Sequence, residues 1–99
     1  MEKPQVLVNV EYCGSCGHFK QFLEMSEIIQ KAVPEATVTG EEGRQASFEV
    51  QINNELVYSK LQTMAFPDFN AVSEAVQHVA QGEMPTKIKK EQPITCATS

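Results

Sequence analysis

Val6-Leu-Val-Asn-Val-Glu-Tyr-Cys-Gly-Ser-Cys-Gly17 decides how the rest of the chain is read. A Val-rich run of strand length ends in a Cys-x-x-Cys box, and a helical pattern starts directly after it. Phe19, Phe22, Leu23, Met25, Ile29 and Val33 recur at helical spacing, with Glu24, Glu27, Gln30 and Lys31 mostly on the other side. A strand that feeds a helix through a tight turn places Cys13 at or near the helix N-cap and Cys16 in the first turn. Unpaired backbone N–H groups and the positive end of the helix dipole favour a thiolate there. The thiolate is the nucleophile of cysteine chemistry. The spacing of three also lets the two sulfurs meet as a small-loop disulfide. In this strand–turn–helix setting the pair Cys13 and Cys16 reads as a redox site.

The next segments extend the pattern. Pro34 stops the helix, because the residue before a proline is pushed out of the α region. Ala36 to Thr39 is short and β-branched, which makes a second, parallel strand reached by a right-handed crossover. Gly40-Glu-Glu-Gly43 reads as a loop. Gln45 to Ile52 alternates, with Phe48, Val50 and Ile52 facing one way. Asn53-Asn54 fits a two-residue hairpin turn, since Asn tolerates φ > 0. Glu55 to Leu61 is the return strand, and residues 63–67 connect it to a helix marked by Phe69, Val72, Val76, Val79 and Ala80, ending near Gly82. The order β-α-β-β-β-α predicts an α/β, thioredoxin-like domain. Its mixed four-stranded sheet has strand order 2-1-3-4 and packs with two helices. Residues 1–85 form this one domain. After Met84-Pro85 the pattern is lost, and 86–99 reads as a flexible basic tail.

Bulk properties narrow the function. The chain has 99 residues, a net charge of −5 and three cysteines. Residues 1–85 carry five basic and twelve acidic groups, while Lys87, Lys89 and Lys90 face only Glu91 beyond them. An acidic body of this kind is a poor partner for nucleic acid. An odd cysteine count does not close a disulfide framework of the secreted type. No stretch reaches the length of a membrane span, and the N-terminus is polar rather than signal-like. A cytoplasmic, reducing compartment is the expectation.

Other candidate residues have plainer readings beside the functional ones. Zinc needs four ligands, and only His18 and His78 accompany the single Cys pair, on separate predicted helices. No metal or resident cofactor is therefore expected. His18 could favour a thiolate two residues away, or be a solvated helix residue. Tyr12 and Phe19 read as packing around the box. Glu11 would relay protons only if it reached a buried sulfur. Met64, Phe66 and Phe69 could make an apolar rim for a partner, or belong to the core. Cys96-Ala-Thr-Ser99 has the C-a-a-X arrangement, with a terminal Ser that points to a farnesyl group. Thr98 is polar where that motif prefers an aliphatic residue. Lys87, Lys89 and Lys90 would supply a second, electrostatic signal near an anionic leaflet. Lipidation at Cys96 predicts association with the inner membrane face.

Three stretches resemble the selenoprotein W/T/H (Rdx) family of thioredoxin-like proteins: Val10-Glu-Tyr-Cys-Gly-Ser-Cys-Gly17, Ser47-Phe-Glu-Val-Gln-Ile-Asn-Asn-Glu-Leu-Val-Tyr-Ser-Lys-Leu61, and Phe66-Pro67. Within it the chain is similar to the cysteine-containing branch associated with cell migration. The resemblance implies a cytosolic or membrane-associated thiol redox protein, with glutathione or protein thiols as partners. It also matches the family's selenocysteine position to Cys16, whereas thioredoxin chemistry gives the attack to the first cysteine, Cys13, expected to be the more exposed. One departure from thioredoxin is that no proline precedes the third strand. Two functions follow as expectations: a small thiol–disulfide redox protein, with glutathione as a possible co-substrate, and a prenylated signalling adaptor whose CxxC is a redox switch.

Overall fold

The computed structural model describes residues 5–91. β1 (Leu7–Tyr12) is an inner strand, flanked by β2 (Thr37–Glu42) in parallel and β3 (Phe48–Ile52) in antiparallel register. β4 (Glu55–Ser59) closes the far edge, so the sheet order is β2-β1-β3-β4, the order expected from sequence. α1 (Phe19–Ala32) and α3 (Phe69–Ala80) pack against each other over one face of the sheet, and a single turn, α2 (Lys60–Thr63), follows β4. Val8, Val10 and Tyr12 alternate inward from β1, with Val6 just before it, meeting Phe48, Val50 and Ile52 of β3. Met25 and Ile29 of α1 and Val72 and Val76 of α3 are fully buried above them. Each such side chain contributes about 1.5–3 kcal/mol.

The hairpin turn has the geometry its residues predict. Asn53 and Asn54 have φ of 51° and 71°, both left-handed, as a type I′ turn requires. The Asn53 side chain also reaches back to β1, accepting from Leu7 N–H at 2.8 Å and donating to the Gln5 carbonyl at 3.2 Å. α3 starts on Asp68, whose carboxylate accepts from the N–H groups of Asn70 and Ala71. It ends on Gly82 at φ 101°, with Gly82 N–H to Val79 O and Glu83 N–H to His78 O.

Four boundaries differ from the sequence reading. β2 runs on through Gly40, Glu41 and Glu42 rather than breaking into a loop. Gly40 is there because the Phe22 ring lies on it: a Cβ would come within 2.7 Å of a ring atom. β4 stops at Ser59, because the Ser59 hydroxyl accepts from Gln62 N–H and turns the chain into α2. α1 begins at Phe19, after the box instead of within it. The chain past Pro85 stays on the domain: Ile88 N–H donates to Val57 O, Asp68 N–H to Lys90 O, and Glu91 bridges Pro67. The domain edge set at 85 thus has described contacts through Glu91. Cys96 and the rest of the C-a-a-X arrangement lie outside the described residues.

Candidate functional site

β1 delivers its C-terminal end to the box. Tyr12 is the last strand residue, and Cys13 N–H donates to Ser47 O, just before β3, at 3.0 Å. Residues 14–18 then form turns, closed by Gly17 N–H to Gly14 O and His18 N–H to Cys13 O. Gly17 sits at φ 78°, which interrupts helical geometry. His18, not Cys13, is the N-cap of α1. The expected placement of both cysteines on a helix N-terminus is therefore corrected: the box is a turn that precedes the helix, because Gly17 takes the left-handed conformation.

Cys13 and Cys16 are joined as a disulfide, with their Cα atoms 5.4 Å apart. Their surroundings are unequal. Cys13 keeps 2% of its surface, whereas Cys16 is exposed. The expectation that Cys13 is the outward sulfur is reversed. Its strand-end position, anchored through Ser47, turns it into the fold. The Cys13 sulfur lies 3.5 Å from the Ser15 hydroxyl, close enough for a weak S···O hydrogen bond.

His18 is half-buried rather than solvated. Its Nδ1 lies 3.0 Å from Ser47 O, and its ring meets the edge of Phe66 at 4.9 Å. Ser47 O thus carries both the Cys13 N–H and the His18 ring. Ala46, just before it, has φ 66°, and Lys60 Nζ holds the Ala46 carbonyl at 3.4 Å while sitting 5.3 Å from the Phe66 ring centre. The peptide bonds of the described residues are all trans, this segment included. Of the proposed rim, Phe69 is buried, Phe66 is wedged between His18 and Phe48, and Met64 is 80% exposed. Phe19 and Leu23, read as packing residues, are 46% and 50% exposed on α1, directly after the box. No sequence signal separated them from the core stripe, because both flank it at helical spacing.

Glu11 does not reach the sulfurs. It faces the opposite side of the sheet and takes the Arg44 side chain at 2.9 and 3.2 Å and the Arg44 N–H at 2.7 Å. Those bonds hold its carboxyl below the ordinary carboxylate range. Glu49 is buried on that face, where it accepts from Ser59 Oγ and from Leu61 N–H at 3.2 Å, tying β4 and α2 to β3. His78 pairs with Glu83 at the exposed end of α3, away from His18. Among the described residues no His, Cys, Asp and Glu cluster has the makings of a metal site. No described helix is long and apolar enough to cross a membrane.

A β-α-β-β-β-α sheet with a CxxC disulfide at the end of its first strand defines a thioredoxin-like domain. The model of the Rdx family matches residues 7–78, and the chain belongs to that family. It is 33% identical to Migration and invasion enhancer 1 of Mus musculus over 88 residues, covering 89% of this chain and 76% of the relative. The Bos taurus protein of the same name matches equally. Selenoprotein W of Danio rerio is 28% identical over 82 residues, covering 80% and 95% of the two chains. Among solved structures, the selenoprotein W-related protein from Vibrio cholerae superposes with a TM-score of 0.71 at 17% identity, over 77% of this chain and 98% of that one.

Proposed function

We propose that this protein exchanges thiols and disulfides with partner thiols through Cys13 and Cys16, and that Cys16 is the sulfur partners meet. The observation that carries the reading is the unequal burial of a bonded pair: one sulfur faces solvent and the other is sealed. A partner thiolate attacks Cys16 Sγ, the Cys13–Cys16 bond breaks, and the electron pair leaves on Cys13 Sγ. The Ser15 hydroxyl can donate to that departing thiolate. The Cys13 thiolate then attacks Cys16 in the mixed disulfide, expelling the partner thiolate and restoring the pair; a second partner thiol instead carries the oxidation outward. In the reverse direction a reduced Cys16 thiolate attacks a partner disulfide. The test is mixed-disulfide trapping. Cys13→Ser should hold a covalent partner on Cys16, and Cys16→Ser should hold far less. Equal trapping by both variants would remove the assigned roles.

A second reading is favoured by the likeness to proteins named Migration and invasion enhancer 1. In it the pair switches the binding of a signalling partner, and a lipid on Cys96 keeps the protein at the inner membrane face. Expressing wild type and Cys96→Ser in eukaryotic cells, with intact mass and fractionation, tests the lipid. Wild type of unmodified mass, recovered only in the soluble fraction, would end it.

A further inference from the structure

We propose that the exposed flank of α1 beside Cys16 is a docking surface for a partner protein's cysteine segment with basic and apolar neighbours. The proposal rests on the thiol-exchange reading and names the substrate class of that site. Phe19 and Leu23 follow Cys16 by three and seven residues, and each leaves about half its surface bare. Phe19 is braced from behind by Tyr12, 5.6 Å away, and by Phe22, 6.1 Å away, so the strip is held rather than floating.

Acid lines the same side. Glu42 is in register with Tyr12 on the edge strand β2, and so shares its helix-facing side. Its carboxyl carbon lies only 2.5 Å from where a Cβ on Gly14 would stand, which puts the carboxylate against the box itself. Among the described residues no basic side chain pairs with Glu42. Of the cations near the box, Lys60 is occupied by the Ala46 carbonyl and the Phe66 ring, and Lys20, exposed on α1 between Phe19 and Leu23, has the carboxylate of Glu24 one turn further along the helix. The whole of residues 1–85 adds an excess of seven negative charges. A segment with positive charge is drawn in, and one with negative charge is repelled.

The alternative approach is closed. A substrate that paired its backbone with the segment before β3 would need the Ser47 carbonyl. That oxygen already holds Cys13 N–H and the His18 ring. The clefts on the outer sheet face and along β4 are lined by neither cysteine. What remains next to Cys16 is an open apolar strip with an acidic border, which fits a protein segment and disfavours the anionic tripeptide glutathione.

The experiment measures second-order rate constants for opening the Cys13–Cys16 disulfide of the full chain. The attacking thiols are three pentapeptides and glutathione. One peptide flanks its cysteine with Leu and Arg, one with Leu and Glu, and one with Ser and Arg. Each rate is divided by that thiol's rate on a small neutral disulfide. At low salt the Leu–Arg peptide should exceed the Leu–Glu peptide about tenfold, a ratio that shrinks in high salt. Glu42→Gln should cut the ratio about threefold. Leu23→Ser should slow both Leu peptides about threefold while sparing the Ser–Arg peptide. Opening by dithiothreitol, whose attacking thiolate has no flanking residues, is the reference reaction against which each variant's peptide rates are read.

A wild-type ratio near one, or a ratio and rates untouched by both variants, overturns the proposal. So does sedimentation showing a dimer that Leu23→Ser disperses, which gives the strip to a second copy. Failure of dithiothreitol itself to open the pair would refute the exchange reading instead.

Discussion

The polarity of the cysteine pair makes a sharp kinetic prediction. In the reduced protein, Cys13→Ser leaves the exposed Cys16 thiol, and Cys16→Ser leaves a thiol with 2% of its surface accessible. A reagent reaches Cys13 only when the turn opens. Freeing Cys13 from its seat breaks the Cys13 N–H bond to Ser47 O and releases the His18 ring from the same oxygen. Two hydrogen bonds at about 0.5–1.5 kcal/mol each make the opening cost about 1–3 kcal/mol. That range is a protection of roughly fivefold to 150-fold, at about 1.4 kcal/mol per decade. The assay is the rate of reaction with an aromatic disulfide reagent at neutral pH, native and in denaturant. Dividing the native rate by the denatured rate removes intrinsic differences between the thiols. After this correction Cys16 should react at least about fivefold faster than Cys13. Corrected rates within twofold of each other, or Cys13 the faster, would refute the burial argument and the order of attack drawn from it.

Three further predictions test the scaffold. Gly40→Ala should lower stability by about 1–3 kcal/mol, read by urea unfolding, because its Cβ enters the Phe22 ring and the two must part. Asn53→Gly should lower the melting temperature and Asn54→Gly should leave it nearly unchanged. Glycine suits both left-handed positions, but only Asn53 gives up two side-chain hydrogen bonds to β1 and its leader, together about 1–3 kcal/mol. The Glu11–Arg44 pair should show in the pH dependence of stability. The Arg44 hydrogen bonds hold the folded pKa of Glu11 below the ordinary carboxylate value of 4.5, so its contribution is present above the unfolded pKa and is lost as pH falls through the folded one. Wild type should therefore lose more stability than Arg44→Ala as the pH falls below about 4.5. Parallel curves for the two proteins in urea titrations at each pH would exclude that role.

The parts of the fold that were legible in sequence are those set by periodicity and by local backbone preference. Alternation from Val6 to Tyr12 and from Phe48 to Ile52, and the helical stripe through Met25 and Ile29, mark the core because burial repeats with the backbone period. Asn53-Asn54 announced its turn because few residues accept two successive left-handed positions. Long-range contacts were not legible. Gly40 looked like a loop signal, since sequence could not show the Phe22 ring above it. Gly17 looked like part of the helix start, since its left-handed φ serves a turn closed onto Gly14 and Cys13. The pair itself was evident from spacing. Its polarity was not, because burial of Cys13 depends on Ser47, thirty-four residues further along. Phe19 and Leu23 sat at the edge of the apolar stripe, and only packing decides which edge of a stripe is covered.

Burial also gives the pair a direction. Attack on Cys16 leaves the negative charge on Cys13, where the Ser15 hydroxyl is within reach and the backbone is fixed to β3 through Ser47. The displaced Cys13 thiolate stays beside the mixed disulfide just formed on Cys16, because the two cysteines are only three residues apart along the chain. Proximity then favours its return over attack by a diffusing thiol. A partner on Cys16 is consequently expelled quickly unless its own contacts keep it there. An exposed Phe19–Leu23 strip and the Glu42 carboxylate beside the box are positioned to supply such contacts. In the proposed exchange the sealed cysteine would set how fast a bound thiol leaves, and the bare flank of α1 would set which thiols stay long enough to matter.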